Sequence, residues 1–420
     1  MVPNPTQRKD EYHHYIPRFI LRTFADNFSL KAPDYIASTS VIFLKSALPP
    51  DWELIGSGGP KKKGKKGKKT NKNQKKYEIK VYQVVDQTTA LNDVARSYGN
   101  RDMYRDITED DCMRFEDLLA KMEDTSSTFT RKIWTGEDLS LTRVQLTELK
   151  KFLAIMSYRS ENRRNQYYED EFNPQTRELI YNHMRHKNII RIQDVWFDNL
   201  KWLIKTPTEE IMKEFKKAVF SPMHYKGSIH VAELLDFGGS CTNYMCIWQA
   251  EEGTEFILSE GCFGAWEGDI HDPFHTFYVV SPRYCIVLVN RLEMWRPARY
   301  LPFRSWFEGS VHAFPETVYK KGLPPSTPDM DFFSPGDVFK YRRIVIPKED
   351  VYFVNSIFLD ARKRCLTYNS SVSMYKTLRY YDKMKTARPD LFNNRHDYSV
   401  LRRQLVTDMN RTHPYPETPQ

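Results

Sequence analysis

The side chain with the most chemical scope is His14, which stands three residues before Pro17 in the run His13-His14-Tyr15-Ile16-Pro17-Arg18. Proline suits the first position of a helix, and Ile20, Leu21 and Phe24 follow it at i+3, i+4 and i+7, so a short amphipathic helix is expected here. His14 would then lie just ahead of the helix N-terminus, where unsatisfied N–H groups and the helix dipole favour an anion and disfavour protonation of an imidazole. That position suits an acid, a base or a ligand beside a bound carboxylate or phosphate. It equally suits a buried ring that bonds a backbone carbonyl.

Arginine supplies the second element of such chemistry. Phe152, Met156, Arg159 and Arg163 fall at i, i+4, i+7 and i+11, on one face of a helix. An arginine on an apolar stripe needs a partner: a bidentate anionic ligand, or a carboxylate such as Glu260. Asn355, Leu359 and Arg362 share a face of a later helix, where the polar pair could touch a ligand or hold the exposed backbone of the Ser259 turn. His14, Arg159, Ser259, Glu260, Asn355 and Arg362 could thus line one polar pocket, with His14 and Glu260 as the catalytic candidates and the other four as ligand-binding candidates. Whether the chain is an enzyme stays open at this level, and no cofactor is indicated.

Asp269, His271, Asp272 and His275 form the one local cluster of metal-capable side chains, but Pro273 between the histidines breaks the helical spacing of a HExxH site. A solvent-exposed loop is the expectation there, and no metal is assigned. The sequence lacks a Walker loop, a GxGxxG after a strand, a GxSxG elbow and a kinase signature. The His-His-x-x-Pro opening has the look of a histidine–metal nuclease motif, yet the asparagine and second histidine that would complete one do not follow.

Charge sharpens the partner question. The 420 residues carry a net charge of +9, and the ten lysines between Lys61 and Lys76, unrelieved by any acid, account for all of it, leaving the remainder at −1. A chain that used its whole surface on phosphates would spread its cations over a face or groove. Contact with a polyanion is therefore expected, if anywhere, through Lys61, Lys62, Lys63, Lys65, Lys66, Lys68 and Lys69, a tract that could also act as a nuclear localisation signal or be a solvated insertion. The six cysteines show no CxxC pair, the first ten residues show no apolar signal segment, and no apolar run approaches the roughly 20 residues that span a bilayer. A soluble cytoplasmic or nuclear protein with reduced thiols is expected.

The elements that must position these residues can be read from periodicity. Tyr77, Ile79 and Val81 alternate as a strand, and Thr142 and Gln145 stand at capping-box spacing ahead of Leu149, Phe152, Leu153 and Met156. Helices are expected over residues 116–133, 174–186 and 194–218, the last broken at Pro207. Strands are expected at 244–248, 255–259, 277–281 and 284–290, the last two pairing across Pro282. Helix returns over residues 349–368 and twice more before a tail at 411–420. The reading is a single α+β domain over residues 11–410 with a helical middle layer, a small mainly antiparallel sheet and a helical C-terminus. A basic, disordered insertion at about 45–76 interrupts it.

The run from His13 to Phe24 resembles the opening motif of the family called domain of unknown function 4238. The resemblance extends in order through Phe152–Arg164, Phe256–Ser259, Tyr278–Asn290 and Asn355–Arg362. That family occurs in bacteria and fungi, so a fungal-like member with shared architecture is implied, and no activity is. The family's Ser-Asp-Asn-Pro turn reads Ser259-Glu260-Gly261-Cys262 here, which keeps a carboxylate one methylene further out and loses the amide and the proline. Two functional readings follow: a protein that binds or hydrolyses an anionic ligand such as a nucleotide or nucleic-acid phosphate, or a non-enzymatic interaction protein whose motif residues are structural.

Overall fold

The computed structural model describes residues 12–25, 77–101, 103–104, 114–136, 139–220, 222–269, 272–290, 305–307, 338–361, 364–392, 394 and 396–412. The lysine tract, Arg362 and His271 lie outside them.

The chain is α+β. Strand β1 (Tyr12–His14) and helix α1 (Arg18–Arg22) open it, followed by β2 (Glu78–Gln83), β3 (Thr88–Asp93), a short 3-10 turn (Val94–Arg96) and β4 (Gly99–Arg101). Pro17 caps α1 from outside with an extended ψ of 136°, one position before the place the sequence suggests. The helical middle layer comprises α2 (Arg114–Thr135), α3 (Arg143–Tyr158), α4 (Glu161–Tyr168), α5 (Pro174–Lys187), α6 (Ile192–Lys205), α7 (Thr208–Phe220) and α8 (Val231–Thr242), with β5 (Leu139–Thr142) between α2 and α3. Pro207 divides α6 from α7, as its missing N–H and locked φ require.

Helix α3 is the central element. Its capping box forms as its spacing implies, Thr142 Oγ accepting from the Gln145 N–H while Gln145 closes back on the Thr142 N–H. Leu149, Phe152, Leu153, Ile155 and Met156 are fully buried along it. Two adjacent lysines beside that stripe reach the ends of two different helices. Lys150 Nζ donates to the carbonyls of Cys241 and Asn243 at the end of α8, and Lys151 Nζ to the Thr206 carbonyl at 2.8 Å beyond the end of α6. A buried ammonium at the negative end of each helix satisfies carbonyls that have no partner inside the helix.

The stripe does not continue through Arg163. Ser160 Oγ accepts the Arg163 N–H at 3.2 Å, an N-cap that ends α3 at Tyr158 and starts α4 in a new direction. Arg163 consequently pairs with Glu233 at 2.5 Å and Asp236 at 3.1 Å on α8.

A five-stranded sheet follows in the order β12-β6-β10-β9-β8, from β6 (Tyr244–Ala250), β8 (Phe263–Asp269), β9 (Asp272–Ser281), β10 (Tyr284–Val289) and β12 (Arg343–Ile346); only β12 runs parallel to its neighbour β6. The β9–β10 hairpin across Pro282 and Arg283 forms as the sequence indicates. The second sheet, β3-β2-β13-β7, joins N-terminal strands to β7 (Leu258–Ser259) and β13 (Cys365–Thr367). The expected helix over 349–368 therefore stops early: α9 (Lys348–Ala361) ends, and residues 365–367 pair with β2 on one side and β7 on the other. Cross-strand partners, invisible to local periodicity, override the helical pattern. Strand β11 (Val338–Tyr341) pairs with β5, and α10 (Ser371–Ala387) and α11 (Ser399–Thr412) complete the helical C-terminus. One hydrophobic cluster runs from Tyr15 to Leu405.

Candidate functional site

The N-terminal motif lies where β1 meets β4. The two strands pair antiparallel, His13 with Asn100 and His14 with Gly99. Glycine is needed at 99 because a Cβ there would stand 2.3 Å from the His13 carbonyl oxygen. Its predecessor Tyr98 takes a left-handed φ of 53°, which turns its carbonyl toward the Tyr15 N–H at 3.0 Å and its hydroxyl toward Thr367 Oγ1 at 2.9 Å. One strained residue thus ties the N-terminal motif to the second sheet.

The two histidines face different surroundings. His13 is buried, stacks on Tyr104 with ring centroids 5.5 Å apart, and accepts the Tyr104 N–H on Nδ1 at 3.1 Å, with Nε2 3.7 Å from Glu116. His14 is half-buried, edge-on to Tyr12, and its Nδ1 stands 2.9 Å from the Ser97 carbonyl. Burial, then the positive field of Arg18, holds the His14 imidazole down to about 4, so it is neutral at physiological pH. This is the neutral His14 that the sequence suggests, for another reason: α1 has only five residues, and desolvation with arginine neighbours does what a helix dipole was expected to do.

Arg159 stands behind them, 1% exposed, at the C-cap of α3. Its Nε donates to the Tyr15 carbonyl at 3.3 Å and its Nη2 to Glu123 Oε1 at 2.6 Å, while the guanidinium lies 6.0 Å from the Tyr104 ring centroid. The carboxylate partner is Glu123 on α2, in the place where Glu260 was a possibility.

Glu260 belongs to a neighbouring group. It is 1% exposed, and its Oε1 accepts the Cys365 N–H at 2.5 Å. Burial raises its pKa, with Glu161 adding to the effect. Glu161 accepts from Asn100 Nδ2 at 3.3 Å and is ion-paired with Arg364. One oxygen of each glutamate, Oε2 in both, is buried without a hydrogen-bond partner among the described residues. Ser259 is fully buried in β7, its Oγ accepting the Gly261 N–H at 3.2 Å. Asn355, also fully buried, clamps the approach to that strand: Oδ1 accepts the Ile257 N–H at 3.1 Å and Nδ2 donates to the Glu255 carbonyl at 2.8 Å.

The structure therefore brings His14 and Arg159 together on one side of Tyr15, and Ser259 and Glu260 together near Cys365, with Asn355 holding the intervening backbone. Tyr15 is common to both groups, since its carbonyl takes Arg159 and its phenol feels Cys365 and Glu260. Tyr98, Tyr104, Glu123 and Glu161 complete the arrangement, and no motif or spacing in the sequence singles them out. The open groove along α11, lined by Val400, Arg403, Gln404, Thr407, Asp408 and Arg411, contains none of these residues.

His275 corrects the loop reading of its cluster. It lies in β9, 3% exposed, directly across from Glu267 on β8, with Nδ1 3.1 Å from Glu267 Oε2. Ser305 Oγ donates to the same carboxylate oxygen at 3.2 Å, and the Trp306 N–H to Oε1 at 2.7 Å. Serine, histidine and acid meet, but the acid and the hydroxyl both stand on Nδ1, so the hydroxyl is not aligned with Nε2 as a serine nucleophile's base requires. The set anchors residues 305–307 to the sheet. No group of three or more metal-capable side chains occurs among the described residues, and no helix there is long and apolar enough to cross a membrane.

Comparison with known proteins returned no curated protein and no solved structure that matches. The model of one family, described as protein of unknown function (DUF4238), matches residues 12–371, a span that holds β1, both carboxylates and Asn355. With most of its length covered, this chain belongs to the DUF4238 family.

Proposed function

We propose that this chain binds an anionic, phosphate-bearing ligand at the rim formed by His14 and Arg18, with Arg159 holding the Tyr15 backbone beside it. The observation that carries the reading is the pairing of an exposed arginine with a half-buried, neutral imidazole whose surroundings are cationic. Arg18 also feels the like charge of Arg22 one turn on, and an anion would relieve that repulsion. Asp93 and Glu123 offset part of it. The lysine tract lies outside the described residues, and its cations would offer a second contact for a nucleic-acid backbone. Hydrolysis asks more: Glu260 would have to reach a substrate from 1% exposure.

A second reading is favoured by the burial of the other motif residues. Arg159, Ser259, Glu260 and Asn355 are all at 1% exposure or less and bonded inside the protein, as a purely structural role in an interaction protein requires. Thermal shift with inorganic phosphate, nucleotides and short nucleic acids, with and without residues 56–76, separates the two. A ligand at about 100 times its Kd stabilises by about 2.7 kcal/mol. Stabilisation lost in Arg18→Ala and kept without the lysine tract supports the rim. Stabilisation lost only with the tract reduces it to polyelectrolyte contact, and silence across the panel favours the structural reading.

A further inference from the structure

The rim carries a chemical asymmetry that narrows what can bind there. A neutral imidazole has one ring proton, and a carbonyl oxygen can only accept. The 2.9 Å contact between His14 Nδ1 and the Ser97 carbonyl therefore places the proton on Nδ1. Nε2 is left with a lone pair. No hydrogen bond to it is found among the described residues, and His14 is only half-buried. Arg18 and Arg22, by contrast, offer only donors. A ligand that merely carried negative charge would satisfy the arginine and set an oxygen lone pair against the Nε2 lone pair.

We infer, resting on the anion-binding reading above, that the ligand at this rim presents a hydroxyl donor to His14 Nε2 next to the negative charge that Arg18 holds. Two common sources have that chemistry: the P–OH of a protonated phosphate, and the ribose 2′-hydroxyl beside a 3′-phosphate, the feature that distinguishes RNA from DNA. Sulfate and a deoxyribonucleoside 3′-phosphate dianion lack it. Burial, with Arg18 and Arg159, keeps the imidazole in its accepting form through the neutral range, so the selection would hold at physiological pH.

The test is titration calorimetry of the full chain at pH 7.5 with two matched pairs, inorganic phosphate against sulfate and uridine 3′-phosphate against 2′-deoxyuridine 3′-phosphate. The donor-bearing member should bind about fivefold more tightly or better in at least one pair, the worth of one net hydrogen bond. A preference confined to the nucleotide pair identifies the 2′-hydroxyl as the donor, and one confined to the inorganic pair identifies the P–OH. In His14→Phe, which keeps a ring but no acceptor, the members of that pair should bind alike; a preference that survives there overturns the inference. Equal affinity within both pairs of the unaltered chain overturns it too while leaving the anion rim standing, whereas absence of binding by all four probes overturns the rim itself.

Discussion

His13 and His14, neighbours in sequence, hold their protons on opposite ring nitrogens. His13 Nδ1 accepts a backbone N–H from Tyr104 at 3.1 Å, which puts its proton on Nε2, while His14 Nδ1 donates to the Ser97 carbonyl at 2.9 Å. Strand geometry is the cause, since successive side chains of β1 point to opposite faces and meet different backbones. Long-range nitrogen–proton NMR of labelled protein should show a bare Nδ1 for His13 and a bare Nε2 for His14. Matching patterns for the two residues would contradict the assignment.

Removing Arg159 should cost stability first. Arg159→Ala strips the Tyr15 carbonyl and Glu123 of their shared partner in a buried setting, where breaking one side of an ion pair costs about 3 kcal/mol or more. Urea unfolding should show this as a lower midpoint at unchanged slope. A change under about 1 kcal/mol would mean that Arg159 is not a structural keystone.

Acid should destabilise the fold through His230. This ring is fully buried, with no hydrogen-bond partner for either nitrogen among the described residues, and packs against His183 at a centroid distance of 5.9 Å. Burial, then His183 and Arg163, lowers its pKa from 6.5 to about 3. Below pH 6.5 the unfolded chain takes up a proton that the folded ring refuses, so stability falls by about 1.4 kcal/mol per pH unit for this group until the folded value is reached. Stability curves at pH 7, 6 and 5 should show the slope, and His230→Phe should reduce it by this group's share while the lowered His14 and His183 keep theirs. An unchanged slope in that variant would locate the acid sensitivity elsewhere.

Glu260 has the opposite sign. Its folded pKa is raised by burial, so it favours the folded state at low pH and loses that contribution as pH rises and the carboxyl must ionise. Glu260→Gln keeps an acceptor for the Cys365 N–H and carries no charge. The variant should gain stability relative to the parent as pH is raised from 4 to 8, and a constant difference over that range would refute a raised carboxyl.

The buried thiols should be inert in the native state. Cys241, Cys246, Cys262, Cys285 and Cys365 are unpaired and buried, and burial pushes Cys246 up to about 12, far from the thiolate that reacts. Ellman's reagent should therefore leave these five unmodified until denaturant is added. Rapid native labelling of any of them would show that the core opens.

Much of the scaffold was legible in the residues. The capping box at Thr142 and Gln145, the break at Pro207 and the hairpin across Pro282 are local signals, each set by bonds or clashes within a few positions, and all appear as read. The turn to α4 is also local, but the Ser160 cap was hidden inside an apparently continuous stripe from Phe152 to Arg163. Strand β13 carries no local signature at all; Cys365, Leu366 and Thr367 extend because β2 and β7 flank them.

The sequence by itself determined which residue types were available: a histidine pair ahead of a proline, an arginine on an apolar stripe, and a carboxylate after Ser259. Tertiary structure decided their partners. Arg159 meets Glu123 rather than Glu260, His14 is neutral through burial and Arg18 rather than a helix dipole, and Tyr98 joins two regions from a left-handed backbone. The physical reason is that periodicity records which face of an element is buried, whereas pairing and protonation depend on groups that only the folded chain brings within a few ångströms.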